Sequence, residues 1–234
     1  MAQISHPSEY DPDPSFIEVI EQNYPDLRKR VKKTKFAMLS AQVDELYLKA
    51  KEYNPKHYLM IRFQLETGLR VSEVINLTIP QLNLAEGVFH VEERAGDRYA
   101  SSYSPKTASS VRPVGIPVGL IDLLVQHIGK RKRGYVFFSN KGKGKKPYRK
   151  QSVIAFINKY ANECDSIGRN IGSHALRRTF ASFQMRKGTE IHKISKALGH
   201  SSIRTTMRYL FYIYDLEEVK EIARTAGEIS RVPY

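Results

Sequence analysis

The sequence predicts a mainly helical fold with a small antiparallel β-sheet, an α+β class, and three observations lead to this prediction. Apolar side chains recur at helical spacing before and after the middle of the chain, as at Val43, Leu46 and Ala50. Between residues 84 and 117 the spacing changes to two, which is typical of strands. Of the 234 residues 41% are hydrophobic, which is enough to form a core.

Start and stop signals delimit the predicted helices. We expect Ser40 to be the N-cap of the first helix of the main domain. The second helix runs from about Pro55 to Thr67, and Gly68 ends it. A short helix over residues 71–76 follows Arg70 directly. Later helices are predicted at 118–128, at 151–163, at 173–187 with Ser173 as N-cap and Gly188 as its end, at 190–197, and after His200 with Ser201 or Ser202 as cap.

The sheet is predicted from two short alternating segments, 88–92 and 111–116, which we expect to pair as antiparallel strands. The polar segment between them contains Lys106, the only lysine between Lys56 and Lys130. Taken by itself, such a lysine is either an ordinary surface charge or a functional group. A further apolar stretch, 135–138, predicts a buried strand or turn.

Changes in composition divide the chain. Near the N-terminus, Asp11-Pro12-Asp13-Pro14 disfavours regular structure, and a capping box from Ser15 to Glu18 opens a short helix. The basic run at 28–33 is equally consistent with a solvated helix face and with contact with a nucleic-acid backbone. We therefore expect an arm with a short helix and a basic run (1–38), a main domain (39–214), and an acidic C-terminal helix and tail (215–234).

Charge and cysteine content restrict the class of partner. The net charge of +14 predicts a polyanionic partner, with nucleic acid first and a membrane surface second. The single cysteine, Cys164, excludes an intrachain disulfide and a thiolate metal site, and we expect it to be a small buried residue. No apolar run approaches the ~20 residues of a membrane-spanning helix, and the polar N-terminus is unlike a signal peptide. A cytoplasmic protein is expected.

The most basic segment lies between residues 130 and 150 and contains no acidic residue. So many cations without a carboxylate exceed what solubility needs, which favours contact with phosphates over a merely solvated surface. The segment is not a nucleotide P-loop, because no Gly-Lys-Ser/Thr leads into a helix. The candidate DNA-binding residues are Lys130, Arg131, Lys132, Arg133, Lys141, Lys143, Lys145, Lys146, Arg149, Lys150 and, on the helix that starts at 173, Arg178.

A cluster of polar residues near the end of the main domain indicates the chemistry. His174 and Arg177 are three residues apart on a predicted helix and share a face, His200 lies in a predicted turn, and Tyr209 follows nine residues later. A tyrosine with its usual pKa of about 10 needs neighbours that stabilise the phenolate. Arginine binds phosphate through two parallel hydrogen bonds, and histidine moves protons near neutral pH. These types suggest transfer of a phosphodiester.

Three motifs together resemble the catalytic core of the tyrosine recombinases, also called the phage integrase family, which includes the Xer- and Cre-type enzymes. They are Thr67-Gly68-Leu69-Arg70-Val71-Ser72-Glu73, His174-x-x-Arg177, and Leu198-Gly199-His200 followed by Tyr209. The similarity covers about residues 39–212. It implies a tyrosine recombinase catalytic-domain fold and a site-specific DNA recombinase or integrase, as found on mobile elements. Such an enzyme cleaves and rejoins DNA strands through a 3′-phosphotyrosyl intermediate.

The resemblance also implies a role for each candidate catalytic residue. Three neighbouring phenols, Tyr209, Tyr212 and Tyr214, compete as nucleophile, and the family's spacing from the histidine selects Tyr209. Glu73, three residues after Arg70, would hold that guanidinium in place. The remaining roles are stabilisation of the charged transition state by Arg70, Arg177 and His200, assistance with proton transfer by His174, and protonation of the leaving 5′ oxygen by Lys106.

The expected partners are double-stranded DNA and further copies of the chain, as a dimer or tetramer on DNA at the nucleoid or on host-cell DNA. By the resemblance, the C-terminal acidic helix docks on a neighbouring protomer; the alternative is that it folds back on its own domain. No carboxylate cluster with metal-ligand spacing is evident, so we expect no cofactor and no metal, the cations taking the metal's place.

Three other functions stay open at this point: a non-cleaving DNA-binding protein on the same fold, a type IB topoisomerase-like enzyme that relaxes DNA, and, least favoured, a basic membrane-surface protein. Most members of the family carry a separate helical domain before the catalytic one that closes around DNA. Here residues 1–38 precede it, so the sequence predicts a catalytic fragment or a minimal recombinase. In both cases DNA binding should be weak and sensitive to salt.

Overall fold

The computed structural model describes residues 37–105, 107–139 and 146–207. Within these ranges the fold is mostly helical with two small antiparallel sheets, which confirms the predicted α+β class. The helices are α1 (Ser40–Tyr53), α2 (Pro55–Thr67), α3 (Val71–Asn76), α4 (Val118–Ile128), α5 (Lys150–Asn162), α6 (Ser173–Arg186), α7 (Ile191–Leu198) and α8 (Ile203–Met207). The strands are β1 (Leu82–Asn83), β2 (Val88–Val91), β3 (Arg112–Gly115), β4 (Phe138–Ser139) and β5 (Lys146–Pro147).

Helix α2 lies at the centre and packs against α1, α3, α4 and α6. It begins cleanly because the side chain of Asn54 accepts hydrogen bonds from the backbone N–H groups of Lys56 (2.9 Å) and His57 (3.4 Å). Its apolar residues are buried on several sides, as expected for a helix surrounded by others, and Phe63 is completely buried. Gly68 then ends the helix in the left-handed conformation, with φ of 66°.

The three-stranded sheet runs in the order β1-β2-β3, and both pairs are antiparallel. Alternation along β3 buries Arg112 and Val114 and exposes Pro113 and Gly115. Arg112 therefore projects into the protein, although its type favours the surface. Because β3 also packs against α7, the sheet reaches the end of the helix that leads into His200.

Some predicted helix caps are wrong by one residue. Ser40 and Ser173 are the first residues of α1 and α6 rather than their caps. The N–H of Leu39 is instead bonded by the side chain of Gln42 (3.0 Å), and α6 follows Gly172, whose φ of 64° suits a glycine. The serine predicted before α8 is confirmed as Ser202, whose hydroxyl accepts from the N–H of Arg204 (3.3 Å).

The stretch 135–138, predicted as a strand or turn, is buried through Phe137 and begins the short strand β4 at Phe138. No helix in the described part of the chain is long and apolar enough to cross a membrane. Residues 1–36 of the predicted arm, including its basic run, and the C-terminal acidic helix lie outside the described residues, so the three-part division of the chain stays a prediction. Seven residues singled out in the sequence also lie outside the described residues: Lys106, Lys141, Lys143, Lys145, Tyr209, Tyr212 and Tyr214.

Candidate active site

Arg70 stands at the junction between α2 and α3 and is held by three separate parts of the chain. Its Nη1 donates to Oε1 of Glu73 (2.8 Å) and to Oγ of Ser110 (3.1 Å), and its Nη2 donates to the carbonyl of Gly199 (2.9 Å). The side chain keeps 22% of its surface exposed. Arg70 is therefore fixed in direction but still accessible at one edge.

Glu73 supports Arg70, as the sequence predicted, but it does so together with an arginine that the sequence analysis missed. Arg112 donates from Nη1 and Nη2 to the two carboxylate oxygens of Glu73, each at 3.1 Å. Its Nε donates to the carbonyl of Ala197 (2.7 Å), and only 7% of Arg112 is exposed. A usable signal did exist, because Arg112 is two residues before Val114 and therefore lies on the same, core-facing side of its strand.

The charge state of Glu73 follows from its two arginine neighbours. Burial alone raises the pKa of a carboxyl, but hydrogen bonds and charge from Arg112, and then from Arg70, outweigh it and hold the pKa of Glu73 below its usual range. Glu73 is thus anionic near neutral pH. One carboxylate shared by two guanidinium groups leaves this cluster with a net positive charge.

Arg177 lies on the buried face of α6 and is only 3% exposed. Its Nη1 donates to the carbonyl of Gly68 (2.8 Å), and its Nη2 donates to the carbonyl of Leu198. These carbonyls belong to the C-terminal ends of α2 and α7, where the helix dipoles favour a cation. The arginine thereby ties the end of the helix before Arg70 to the end of the helix before His200.

His174 lies one turn before Arg177 on the same helix, α6, as predicted, but unlike Arg177 it is exposed. Partial desolvation lowers the pKa of His174. The charges of Arg178, Lys150, Arg177 and Arg70 lower it further. At neutral pH this histidine is consequently uncharged and able to accept a proton.

His200 follows Gly199, which ends α7 with φ of 65°. Its backbone N–H donates to the carbonyl of Ser195 (3.0 Å), and its Nδ1 lies 2.8 Å from the hydroxyl of Thr206, a completely buried residue. Burial, followed by the charges of three arginines, lowers the pKa of His200 to about 3, with Glu73 opposing the shift. The ring is therefore neutral and presents a single N–H.

The described candidates thus converge where α2 and α7 end. Arg70 bonds to the residue before His200, Arg177 bonds to the residue before that, and the charges of both arginines act on His174 and His200. Lys106 and Tyr209 lie outside the described residues. Thr107 directly follows Lys106, and its hydroxyl is 2.9 Å from Oγ of Ser110, which also bonds Arg70. The segment next to Lys106 is therefore attached to the cluster.

The basic loop 130–133 borders a cavity of about 640 Å³, together with Arg98, Tyr99 and residues 134–135. Arg131 differs from its neighbours, because its guanidinium bonds the carbonyl of Tyr135 (2.8 Å) and lies over the ring of Phe138 at 4.7 Å. It shapes the loop and is only partly exposed. The other cations described in this region are exposed, which agrees with a phosphate-binding role that stays a prediction: Lys130, Lys132, Arg133, Lys146, Arg149 and Lys150. Arg178, on α6, is partly exposed.

No group of three or more His, Cys, Asp or Glu side chains in the described ranges could hold a metal ion. Cys164 is buried, as expected of a small core residue, and its Sγ donates to the carbonyl of Tyr160 (3.2 Å). Burial raises the pKa of its thiol to about 11, so Cys164 is unreactive near neutral pH.

Comparison with known proteins connects this chain to a family. Residues 37–212 match the family model described as the phage integrase family. A tyrosine recombinase of Pseudothermotoga lettingae is 26% identical over 204 residues, which cover 87% of this chain and 64% of the relative. The tyrosine recombinase XerA of Pyrococcus furiosus is 28% identical over 153 residues, 64% of this chain and 48% of the relative. The chain therefore spans about half to two thirds of the length of these relatives.

A solved structure supports the same fold. The integrase of transposon Tn1549, in complex with transposon right end DNA, superposes with a TM-score of 0.65 at 22% identity. The similarity covers 83% of this chain and 67% of the integrase chain. At this identity the match establishes the fold alone, and the chemistry has to be inferred from the residues of the site.

Proposed function

Since this chain belongs to the phage integrase family of tyrosine recombinases, we propose that it is a site-specific DNA recombinase that cleaves and rejoins strands through a 3′-phosphotyrosyl intermediate. The observation that carries the proposal is the convergence of Arg70, Arg177 and His200 at the joined ends of α2 and α7. A scissile phosphate at this position would meet two cations and a neutral N–H donor. These are the groups that a phosphorane with charge on its non-bridging oxygens requires.

Arg70 is suited to bind the phosphate directly. Its Nη1 hydrogens are donated to Oε1 of Glu73 and Oγ of Ser110, and one Nη2 hydrogen is donated to the carbonyl of Gly199. The Nε hydrogen and the second Nη2 hydrogen have no partner among the described residues, and together they form the fork that matches two phosphate oxygens. Because three bonds fix the guanidinium beforehand, little side-chain entropy is lost on binding.

His200 acts in this scheme as a neutral hydrogen-bond donor rather than as a cation. With its pKa lowered to about 3, the ring has one proton at neutral pH. If the hydroxyl of Thr206 donates to Nδ1, that proton is on Nε2 and can bond a non-bridging oxygen. The neighbouring arginines supply the charge.

The proposed reaction uses two residues outside the described ranges. The phenol oxygen of Tyr209 attacks phosphorus and its proton passes to the neutral His174, while the bond from phosphorus to the 5′ oxygen breaks. The ammonium of Lys106 gives a proton to that oxygen, leaving a 3′-phosphotyrosyl bond and a 5′-hydroxyl. Rejoining is the reverse with another 5′-hydroxyl, so the covalent bond conserves the energy and no ATP is needed.

A covalent-trapping assay tests the nucleophile and the reaction class together. Nicked duplexes from the attachment region of the source element are incubated with wild type and Tyr209→Phe, and products are separated under denaturing conditions. We expect a DNA-linked protein band with wild type that disappears in Tyr209→Phe. Tyr212→Phe and Tyr214→Phe are matched controls and should keep the band. A band that persists in Tyr209→Phe and disappears in a control would refute the assignment.

Two further measurements address metal use and reaction type. Cleavage should survive excess EDTA, since the cationic cluster takes the part of a metal; a strict requirement for magnesium would contradict this. Exchange between two sites should be observed, and relaxation of a single plasmid without exchange would favour a type IB topoisomerase-like activity instead. Binding that never leads to an adduct would favour a non-cleaving DNA-binding protein.

The proposed partners are double-stranded DNA and further copies of the chain. Binding should weaken steeply with added salt because the contacts of the basic loop are to phosphates. Docking of the C-terminal acidic segment on a neighbouring protomer is tested by gel filtration of a form truncated after Asp215. An unchanged assembly on DNA would contradict docking in trans.

A further inference from the structure

Arg112 has no role in the reaction outlined above, yet it connects three parts of the site. It donates to Glu73 on α3, to the carbonyl of Ser110 (2.8 Å) in the turn before β3, and to the carbonyl of Ala197 in α7. These partners are far apart in sequence, and Arg112 is almost completely buried among them. A buried guanidinium with this many bonds has a single orientation.

The carboxylate of Glu73 shows how Arg112 acts on Arg70. Oε1 accepts from Nη1 of Arg70 (2.8 Å) and from Nη1 of Arg112 (3.1 Å). Oε2 accepts from the backbone N–H of Arg70 (2.8 Å) and from Nη2 of Arg112 (3.1 Å). The bidentate pair with Arg112 therefore fixes the plane of the carboxylate, and this plane directs the remaining lone pairs to Arg70.

The other end of Arg112 fixes the second partner of Arg70. Its Nε bonds the carbonyl of Ala197, and a Cβ placed on Gly199 would lie only 2.8 Å from its Nη1. Arg112 and the end of α7 are thus in close contact. The carbonyl of Gly199 accepts from Nη2 of Arg70, and His200 is the next residue. Arg112 therefore bonds Glu73 directly and fixes, through Ala197, the end of α7 that carries Gly199, and these are two of the groups that hold Arg70.

Charge adds to this geometry. With Arg112 present, one carboxylate is shared by two guanidinium groups, so part of the charge of Arg70 remains for a phosphate. Without Arg112, Glu73 and Arg70 would form a closed pair with no net charge. The lost charge would weaken stabilisation of a dianionic transition state more than it would weaken binding of the monoanionic substrate.

We propose that Arg112 is a positioning residue for phosphoryl transfer. It holds Glu73 and the end of α7 so that Arg70 and His200 face the same phosphate. It also prevents Glu73 from neutralising the charge of Arg70. This inference depends on the function proposed above. The simpler alternative is a buried ion pair that contributes only to folding. The two differ in whether the loss of Arg112 can be compensated by changing the charge of the substrate.

The test compares Arg112→Met and Arg112→Lys with wild type in single-turnover cleavage. Each protein is given the ordinary scissile phosphate and a methylphosphonate, which lacks one charged non-bridging oxygen and so needs less cationic stabilisation. Arg62→Met is the matched control, because Arg62 pairs with Glu66 (2.7 Å) and bonds Tyr58 on α2, and neither partner is a residue of the site. The folded fraction is measured by circular dichroism for every variant.

We expect Arg112→Met to reduce cleavage of the ordinary phosphate by about 10- to 100-fold with nearly unchanged DNA affinity. The loss on the methylphosphonate should be at least about fivefold smaller. Arg112→Lys keeps the charge but not the bidentate bonds, so its cleavage rate should lie between those of wild type and Arg112→Met. If Arg112→Met does not fold, the comparison of the two substrates is made with Arg112→Lys. Equal losses on both substrates, in proportion to the unfolded fraction, would overturn the proposal.

A measurement on the protein alone separates this inference from the proposed function. The imidazole of His200 is titrated by NMR, with its signal assigned from His200→Gln. The charged groups acting on this ring are Arg177, Arg70, Arg112 and Glu73. Arg112→Met should move its titration upward from about pH 3, and an unchanged titration would overturn the proposal even if wild type forms no adduct. Failure of wild type to form an adduct would count against the recombinase function alone.

Discussion

Replacing Gly199 by alanine should destabilise the protein by roughly 2–4 kcal/mol. The left-handed conformation of this residue, with φ of 65°, costs a residue with a side chain about 1 kcal/mol or more. An added Cβ would lie 2.8 Å from Nη1 of Arg112 and 3.0 Å from the carbonyl oxygen of Ser109. Neither can move cheaply, because one is a buried guanidinium with several bonds and the other is backbone, so overpacking adds about 1–3 kcal/mol.

Gly188 provides the matched control for this prediction. It also follows a helix with positive φ (77°), but a Cβ there would meet nothing within 4 Å. Gly188→Ala should therefore cost only the backbone contribution, about 1 kcal/mol. Urea unfolding is followed by far-UV circular dichroism, since the chain has no tryptophan for fluorescence. Losses that agree within about 0.5 kcal/mol for the two variants would refute the steric argument.

Three more predictions concern the polar groups of the site. The pKa of Glu73 is lowered in the folded protein, so its contribution to stability is complete above about pH 4.5 and is lost as the pH falls through the lower folded value. Glu73→Gln should therefore flatten the acid end of a plot of Tm against pH. The pKa of His200 is about 3 in the folded protein and 6.5 in the unfolded chain, so the unfolded chain binds a proton first as the pH falls from 6.5 to 3. After allowance for solvent screening, this residue should reduce the free energy of unfolding by roughly 2 kcal/mol over that range. His200→Gln should lack this contribution and lose less stability than wild type. Thr206→Val removes the hydroxyl partner of that ring and should slow cleavage about tenfold at unchanged DNA affinity, whereas Thr206→Ser should stay near wild type.

Each of these has a clear contrary result. Parallel acid transitions for wild type and Glu73→Gln would show that the carboxylate is not specially stabilised in the folded state. The same slope of stability against pH in wild type and His200→Gln would place the proton uptake elsewhere. Equal cleavage by the valine and serine variants of Thr206 would mean that the hydroxyl does not orient the imidazole.

Local information in the sequence was sufficient to predict most of the helices and strands, and together with the family resemblance it indicated all the described candidate site residues except Arg112. The helical spacing in α1 and the alternation in β2 and β3 predicted their structures because each pattern is set by near neighbours along the chain. The spacing of His174, Arg177 and His200 was equally local. The one-residue errors at Ser40 and Ser173 have a physical cause, since a serine is as compatible with the first turn of a helix as with the cap before it.

What only the tertiary structure decided is how these groups are charged and held. Arg112 is bonded to residues 39 positions earlier and 85 positions later, and no local pattern can report such partners. Likewise, the low pKa of His200 comes from burial and from arginines on other elements. By itself the sequence determined which candidate groups are present and on which predicted element each of them lies. The folded chain determined their orientation and protonation, because both depend on distances between segments that only packing brings together.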